Sequence, residues 1–299
     1  MSRFFQFVEI RTKITSLFAF LMALAWLFAV GGPIRWLPTL VFFLSMFLFD
    51  LTTTAINNFV DTRTNGQSLP FRRATALVLL LALFAVSAAL GLWLVALTDL
   101  TMLLFGGACF LCGVLYTWGP LPISRLPLGE LFSGVFYGLA IPFLVLYLNM
   151  PEGTFLTLAL SGWDLSVTLR LGPLVQVLLL AVAPGCATAN IMLANNLCDL
   201  ERDIAVKRHT LPYYLGVGRS LGLFRLLCYL PFGAAAVLVV SRALPPVYLL
   251  LFLALVPMRK NIAAFQAVQD KETTFPCSIR NYLALMSLDV LLLFLCHWF

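Results

Sequence analysis

The sequence predicts an all-α, polytopic membrane protein built as a bundle of nine transmembrane helices, and three observations carry that reading. Of 299 residues, 62% are apolar and only 11% charged, where a soluble domain carries about 25% charged residues. The mean hydropathy is +0.99. The apolar runs reach the roughly 20 residues a spanning helix needs and lack the period-2 alternation of a membrane barrel. Lipid offers the backbone no hydrogen-bond partner, so helices that satisfy themselves are the remaining solution.

The spans are expected at 14–31, 36–57, 74–97, 100–118, 128–148, 173–196, 213–240, 244–265 and 279–298, in one domain covering 1–299. The first is preceded by MSRFFQFVEIRTKITS, a basic, amphipathic stretch. It reads as an interfacial lead-in rather than a signal peptide, since no convincing cleavage site follows the apolar run. Connections after the first, third, fourth and seventh spans are short. Residues 149–172 form a longer, partly apolar segment, expected as a loop lying in the interface.

Basic residues set the orientation. Of the 19 Lys and Arg residues, only Arg35, Arg170 and Arg242 fall on the side opposite the N-terminus. This bias puts the N-terminus in the cytoplasm, the C-terminus outside, and the protein in the cytoplasmic membrane. The net charge of +6 therefore describes a membrane face, and no nucleic-acid partner is expected. No obligate protein partner is predicted either. The 7 cysteines form no even framework, and the single C-x-x-C, Cys109 and Cys112, has no second pair or histidine beside it, which argues against zinc.

In a chain so poor in charge, polar groups at membrane depth carry the information, because each is costly unless paired or functional. Two segments share one pattern, TTTAINNFVDTRTNG from Thr52 and TANIMLANNLCDLERD from Thr188. Each contains N-N-x-x-D followed four residues later by another polar position. These are Asn57, Asn58, Asp61 and Asn65 in the first and Asn195, Asn196, Asp199 and Asp203 in the second. Residues i and i+4 stack on one helix face, so Asn57 converges with Asp61, and Asn195 with Asp199 and Asp203. The donors are all oxygen, which suits a hard cation such as Mg2+ whose shell is completed by water and substrate phosphate. Both clusters close even-numbered spans, so they share one membrane side, at helix C-termini where the macrodipole favours cations. Two facing acidic clusters suggest a metal-bridged diphosphate site. Lys207, Arg208, Arg63, Arg72 and Arg73 nearby could neutralise remaining phosphate charge.

These residues resemble the UbiA superfamily of intramembrane aromatic prenyltransferases, whose signatures are an N-x-x-x-D-x-x-x-D motif and a second D-x-x-x-D motif. Here the two correspond to Asn57–Asn65 and Asp199–Asp203. Within that superfamily the chain is most similar to the 1,4-dihydroxy-2-naphthoate polyprenyltransferases of menaquinone synthesis. Three stretches carry that likeness: VEIRTKITS, YTWGPLPISRLPLGELFSGVFYG from Tyr116, and NNLCDLERDIAVKRHTLPYYLG from Asn195. The chain departs from the pattern at Asn65, where many relatives carry Asp, and at Cys198, where Arg is common. The resemblance implies nine helices with both motifs at the cytoplasmic mouth. It implies polyprenyl diphosphate and an aromatic acceptor as substrates, with Mg2+ held by Asn57, Asp61, Asn195, Asp199, Asp203 and Asn65. It also implies catalytic roles for Asp61, Asp199, Asp203 and Tyr116, and diphosphate contacts from Lys207, Arg63, Arg72, Arg208, Asn58 and Asn196. The prenyl tail then needs only an apolar groove open to the lipid bilayer.

Four further readings follow from polar groups elsewhere. Tyr116 ends the fourth span, where its hydroxyl could reach the diphosphate or simply belong to an interfacial belt. Glu130 opens the fifth, placed either to orient an acceptor or to complement the helix dipole. Asp50 is expected in a structural hydrogen-bond network with Thr53 and Thr54, and Asp289 has no assigned role. Three other functions compete: a prenyltransferase for another acceptor such as 4-hydroxybenzoate, a catalytically silent relative, and an ion-coupled transporter. The transporter reading is disfavoured because its site would sit near the bilayer midplane.

Overall fold

The structure, a computed structural model, describes residues 3–62, 68–119, 122–161 and 163–299. Among the described residues nine helices are long and apolar enough to cross a membrane. They are α1 (Ile10–Ala29), α2 (Trp36–Asp61), α3 (Arg73–Leu97), α4 (Leu100–Thr117), α5 (Gly129–Asn149), α6 (Leu171–Cys198), α7 (Val217–Val240), α8 (Pro246–Ala267) and α9 (Phe275–Trp298). The protein is thus a helical multi-pass membrane protein, as its hydropathy requires.

Three segments differ from the sequence expectation. Residues 149–172 are not an irregular loop: β1 (Leu156–Ser161) pairs antiparallel with β2 (Asp164–Leu169), Leu156 opposite Leu169. Pairing satisfies backbone groups that an interfacial loop would leave to water. The N-terminal lead-in also packs on the protein, which the sequence did not anticipate. A short helix, Arg3–Phe7, buries Phe7 beside Val8 in a small core with Leu51, Ala55 and Ile56 of α2. The seventh span begins later than 213, because a separate helix (Leu211–Leu215) stops at Gly216, whose φ of 75° lies in the left-handed region that glycine adopts without strain.

The bundle has an inner and an outer part. α1 packs on α9 and α5, and α6 packs on α5, α7 and α9. Their facing residues, among them Met22, Leu27, Leu146, Leu193, Leu238 and Leu293, form the main core. α2 joins this core through Val41 and Phe42 and carries α3 on its other side. Val78, Leu81, Val86, Leu104 and Leu111 on α3 and α4 stay exposed, which is the composition of a lipid-facing surface.

α5 and α6 touch backbone to backbone. A Cβ on Gly138 would lie 2.2 Å from the Cα of Gly185 and 2.5 Å from its amide nitrogen, and Gly134 approaches the same turn. Small residues allow such close crossings in membranes. Gly138 lies in a π-helical turn, Phe136–Ala140, just before Pro142. Tyr137, within the same turn, reaches Asp50 of α2. Gly138→Ala must push the two helices apart, since the atoms it meets are backbone. Its thermal midpoint in detergent should fall by the equivalent of about 1–3 kcal/mol, and an unchanged midpoint would show that the crossing is looser than described.

Candidate active site

Between α2, α4, α5 and α6 lies one cavity of about 900 Å³, with α1, α3 and the start of α9 completing its wall. Its apolar part is lined by Phe42, Met46, Phe49, Leu92, Leu103 and Phe110. At one end stand both sequence motifs, represented by Asn57, Asn58, Asp61, Asn195, Asp199 and Asp203, together with Tyr116, Arg125, Arg202 and Arg208.

The first motif ends α2 in regular helix, which runs four residues past the expected boundary to Asp61. Asn57 Oδ1 accepts a 2.7 Å hydrogen bond from the Thr117 hydroxyl at the end of α4. Asp61 pairs with the Arg125 guanidinium at 3.8 Å. In the second motif α6 ends at Cys198, Asp199 caps it, and a short helix, Leu200–Ala205, carries Asp203. The i→i+4 backbone bonding continues through this bend, Asp199 N to Asn195 O at 3.1 Å and Asp203 N to Asp199 O at 2.8 Å. The three side chains therefore keep the register the spacing predicts.

Each carboxylate meets a cation. Lys271, in the segment between α8 and α9, donates to both Asn195 Oδ1 and Asp199 Oδ2 at 2.5 Å. Arg208 lies 3.8 Å from Asp203 Oδ1 and donates from Nε to the Ser124 carbonyl at 3.1 Å, tying the second motif to the α4–α5 connection. Asp203 is buried, and its Oδ2 has no hydrogen-bond partner. Burial raises its carboxyl above the usual range, against the lowering effect of Arg208. Protonation therefore begins at higher pH than for a free aspartate, and cation binding at Asp203 weakens as pH falls through that raised value.

The structure separates the remaining expected residues. Asn58 lines the cavity, but its amide donates to the Phe7 carbonyl at 2.9 Å and to Glu9 at 3.3 Å, so it anchors the N-terminal lead-in. Asn196 is buried and does not face the cavity. It donates to Glu130 Oε1 at 2.8 Å, locking α5 to α6. On a helix, consecutive residues point about 100° apart, so the two asparagines of an N-N pair cannot serve one site equally. Lys207 and Arg72 are exposed and outside the cavity wall. Arg73 donates to the Phe59 carbonyl at 2.7 Å and stacks over the Phe59 ring. Arg63 and Asn65 lie outside the described residues. Tyr116 faces the cavity with Ser133 as hydrogen-bond partner.

Sequence reasoning missed two residues at this end. Arg125 and Lys271 looked like ordinary loop charges, and no local pattern distinguishes them. Lys13, one of the basic residues on the N-terminal side, has a structural role. Lys13 is buried, donating at 2.9 Å to the carboxylate and the backbone carbonyl of Asp50, and also to Thr54. Ser16 at 2.6 Å and Tyr137 at 2.7 Å complete the Asp50 carboxylate. Asp50 thus does sit in a structural network, but the Thr53 and Thr54 hydroxyls reach only its backbone carbonyl. Asp289 also has a partner, the Tyr248 hydroxyl of α8.

Residues 16–275 match the model of the UbiA prenyltransferase family. The chain belongs to that family. Its solved relatives share the fold at low identity. A UbiA homolog from Archaeoglobus fulgidus bound to GPP and Mg2+ superposes with a TM-score of 0.65, 13% identity and full coverage of both chains. A digeranylgeranylglyceryl phosphate synthase gives 0.66 at 15% identity, covering 99% of this chain and 98% of that one. A UbiA homolog from Aeropyrum pernix K1 gives 0.62 at 16% identity, covering 94% and 95%. In sequence, the 1,4-dihydroxy-2-naphthoate octaprenyltransferase of Bacillus subtilis (strain 168) is 28% identical over 142 residues. That match takes in 48% of this chain and 39% of the length of the B. subtilis enzyme.

The residues present fit a divalent cation. The donors are carboxylate and amide oxygens, the Lys271 ammonium already stands as a cation on two of them, and the free Asp203 Oδ2 is buried beside the cavity. Among the described residues no three of His, Cys, Asp and Glu cluster as a ligand group. Protein amides and substrate phosphate would have to complete the shell, as is usual for Mg2+.

Proposed function

We propose that this UbiA-family prenyltransferase moves a polyprenyl group from polyprenyl diphosphate onto 1,4-dihydroxy-2-naphthoate, releasing diphosphate and CO2 in demethylmenaquinone formation. The observation that carries the proposal is one cavity whose mouth holds both Asn/Asp motifs and whose interior is apolar. The mouth suits a diphosphate and the interior its hydrocarbon tail. Sequence similarity to the B. subtilis enzyme supports the choice of acceptor.

Asn57, Asp61, Asn195, Asp199 and Asp203 would hold Mg2+, with Asn65 as a sixth donor by its place in the motif. When bound, the metal supplies charge neutralisation for the departing diphosphate. Arg125 and Arg208, which line the same cavity, would bind phosphate oxygens, adding stabilisation where negative charge develops. The allylic C–O bond breaks and its electron pair leaves with the diphosphate. The acceptor ring carbon bearing the carboxylate bonds to the allylic carbon; loss of CO2 returns an electron pair to the ring. Tyr116, Phe132 and Phe136 on the cavity wall surround the cation with electron-rich rings and exclude water. The mouth faces the cytoplasm by the distribution of basic residues.

The test supplies membranes containing the protein with labelled polyprenyl diphosphate, Mg2+ and either 1,4-dihydroxy-2-naphthoate or 4-hydroxybenzoate. A prenylated naphthoquinol formed with the first acceptor alone is the expected result. Product from 4-hydroxybenzoate alone would move the protein to the neighbouring acceptor class, and no metal-dependent product from either would reject transfer altogether.

A further inference from the structure

The Lys271 ammonium sits on two oxygens of the second motif that the proposed metal would use. Its ammonium lies 2.5 Å from Asn195 Oδ1 and from Asp199 Oδ2, the two stacked oxygens of the second motif. Mg2+ binds oxygen at roughly 2.0–2.1 Å, so a metal on the same two atoms and this ammonium would be like charges only a few ångströms apart. Holding both on those oxygens costs like-charge repulsion.

The segment presenting Lys271 is built to do so. The Asp270 carboxylate accepts bonds from the Glu272 amide at 3.1 Å, the Thr273 amide at 2.7 Å and the Thr273 hydroxyl at 2.6 Å, closing a tight turn at the start of α9. The Lys271 ammonium also lies 5.0 Å from the centre of the Phe275 ring, itself part of the cavity wall. The lysine is therefore a tethered cation on a preorganised turn. Its side chain remains 43% exposed.

We propose that Lys271 is an internal competitor for the second metal position, so that metal binds well only when a diphosphate arrives to take the lysine. This rests on the reading of the two motifs as a metal-diphosphate site. The diphosphate offers the ammonium a new anion at the moment the metal claims Asp199. Metal and diphosphate then bind with positive coupling, each raising the affinity of the other. Without the lysine, the second motif accepts the metal unaided and the coupling shrinks.

The test measures Mn2+ binding to the full-length protein in nanodiscs by loss of the free-ion electron paramagnetic resonance signal, with and without geranyl diphosphate. Lys271→Gln should bind Mn2+ alone about tenfold more tightly than the unsubstituted protein, an ordinary size for coupling between sites. Lys271→Arg should restore the weaker binding, and adding Asp199→Asn to Lys271→Gln should abolish the gain. Geranyl diphosphate should tighten Mn2+ binding more in the unsubstituted protein than in Lys271→Gln. Equal or weaker Mn2+ binding by Lys271→Gln, with Asp199-dependent binding intact in the unsubstituted protein, overturns the competition and leaves the metal site standing. Absence of Mn2+ binding in every form, even with geranyl diphosphate, overturns both. Thermal midpoints confirm that each variant is folded, as expected for an exposed side chain.

Discussion

Asp199→Asn is expected to lower kcat for prenyl transfer by roughly 10²–10³-fold, the size of loss seen when one group that stabilises developing charge is removed, while the protein stays folded. The carboxylate lies at the cavity mouth, is partly exposed, and among the described residues pairs with the exposed Lys271. Removing its charge therefore leaves no buried ion unpaired, and stability should change by well under about 1 kcal/mol. The activity loss has a different origin. The second motif offers two carboxylates, Asp199 and Asp203, and one of them is half neutralised by Arg208 already. Asparagine keeps an oxygen but loses the charge that draws a hard cation. Asp61→Asn should match it on the opposite wall, where it removes the carboxylate that meets Arg125 at 3.8 Å. Steady-state kinetics in proteoliposomes, with added Mg2+ to about 100 times the normal requirement, separates lost metal affinity from lost chemistry. Near-normal kcat at ordinary Mg2+ would remove Asp199 from the site.

The largest expected stability effect lies elsewhere, at Asp50. Asp50→Asn leaves the buried Lys13 ammonium with no counter-charge, a defect worth about 3–5 kcal/mol in a buried pair. Lys13, Ser16 and Tyr137 come from α1 and α5, so the same change loosens two helices around α2. A sharp fall in thermal midpoint should follow. Adding Lys13→Met should recover part of it, because the stranded charge is then gone. If Asp50→Asn melts at the native temperature, the network is not a buried ion pair in the bilayer. Activity of the double variant would then tell whether the cluster, which lines the cavity below the motifs, also shapes the acceptor pocket.

The helices were legible because hydropathy and length are summed along the chain, and nine apolar runs of spanning length leave little freedom. Boundaries were harder. α2 and α6 extend past the expected ends because the motif residues, although polar, continue helical hydrogen bonding into the mouth. The hairpin at 156–169 escaped notice because its strands are short and only partly alternating. Phe7 and Val8 looked interfacial, since an amphipathic stretch buries its apolar face against lipid or protein with the same pattern. Within the site, spacing placed Asn57, Asp61, Asn195, Asp199 and Asp203 together, since i and i+4 stacking is a property of any helix. It could not tell them from Asn58 and Asn196, which serve Phe7 and Glu130 instead.

What the sequence by itself determined is therefore the membrane fold, the oxygen-donor chemistry and the pairing of two motifs at one end. Each follows from local composition, span parity or helical period. Only the tertiary structure decided which cation meets which carboxylate: Arg125 with Asp61, Arg208 with Asp203, Lys271 with Asp199, and Lys13 with Asp50. All but one of these pairs join segments far apart in the chain. A charge does not carry the identity of its partner; that is set by which helices pack together, and helix packing is decided by shape contacts such as Gly138 against Gly185 that hydropathy does not record.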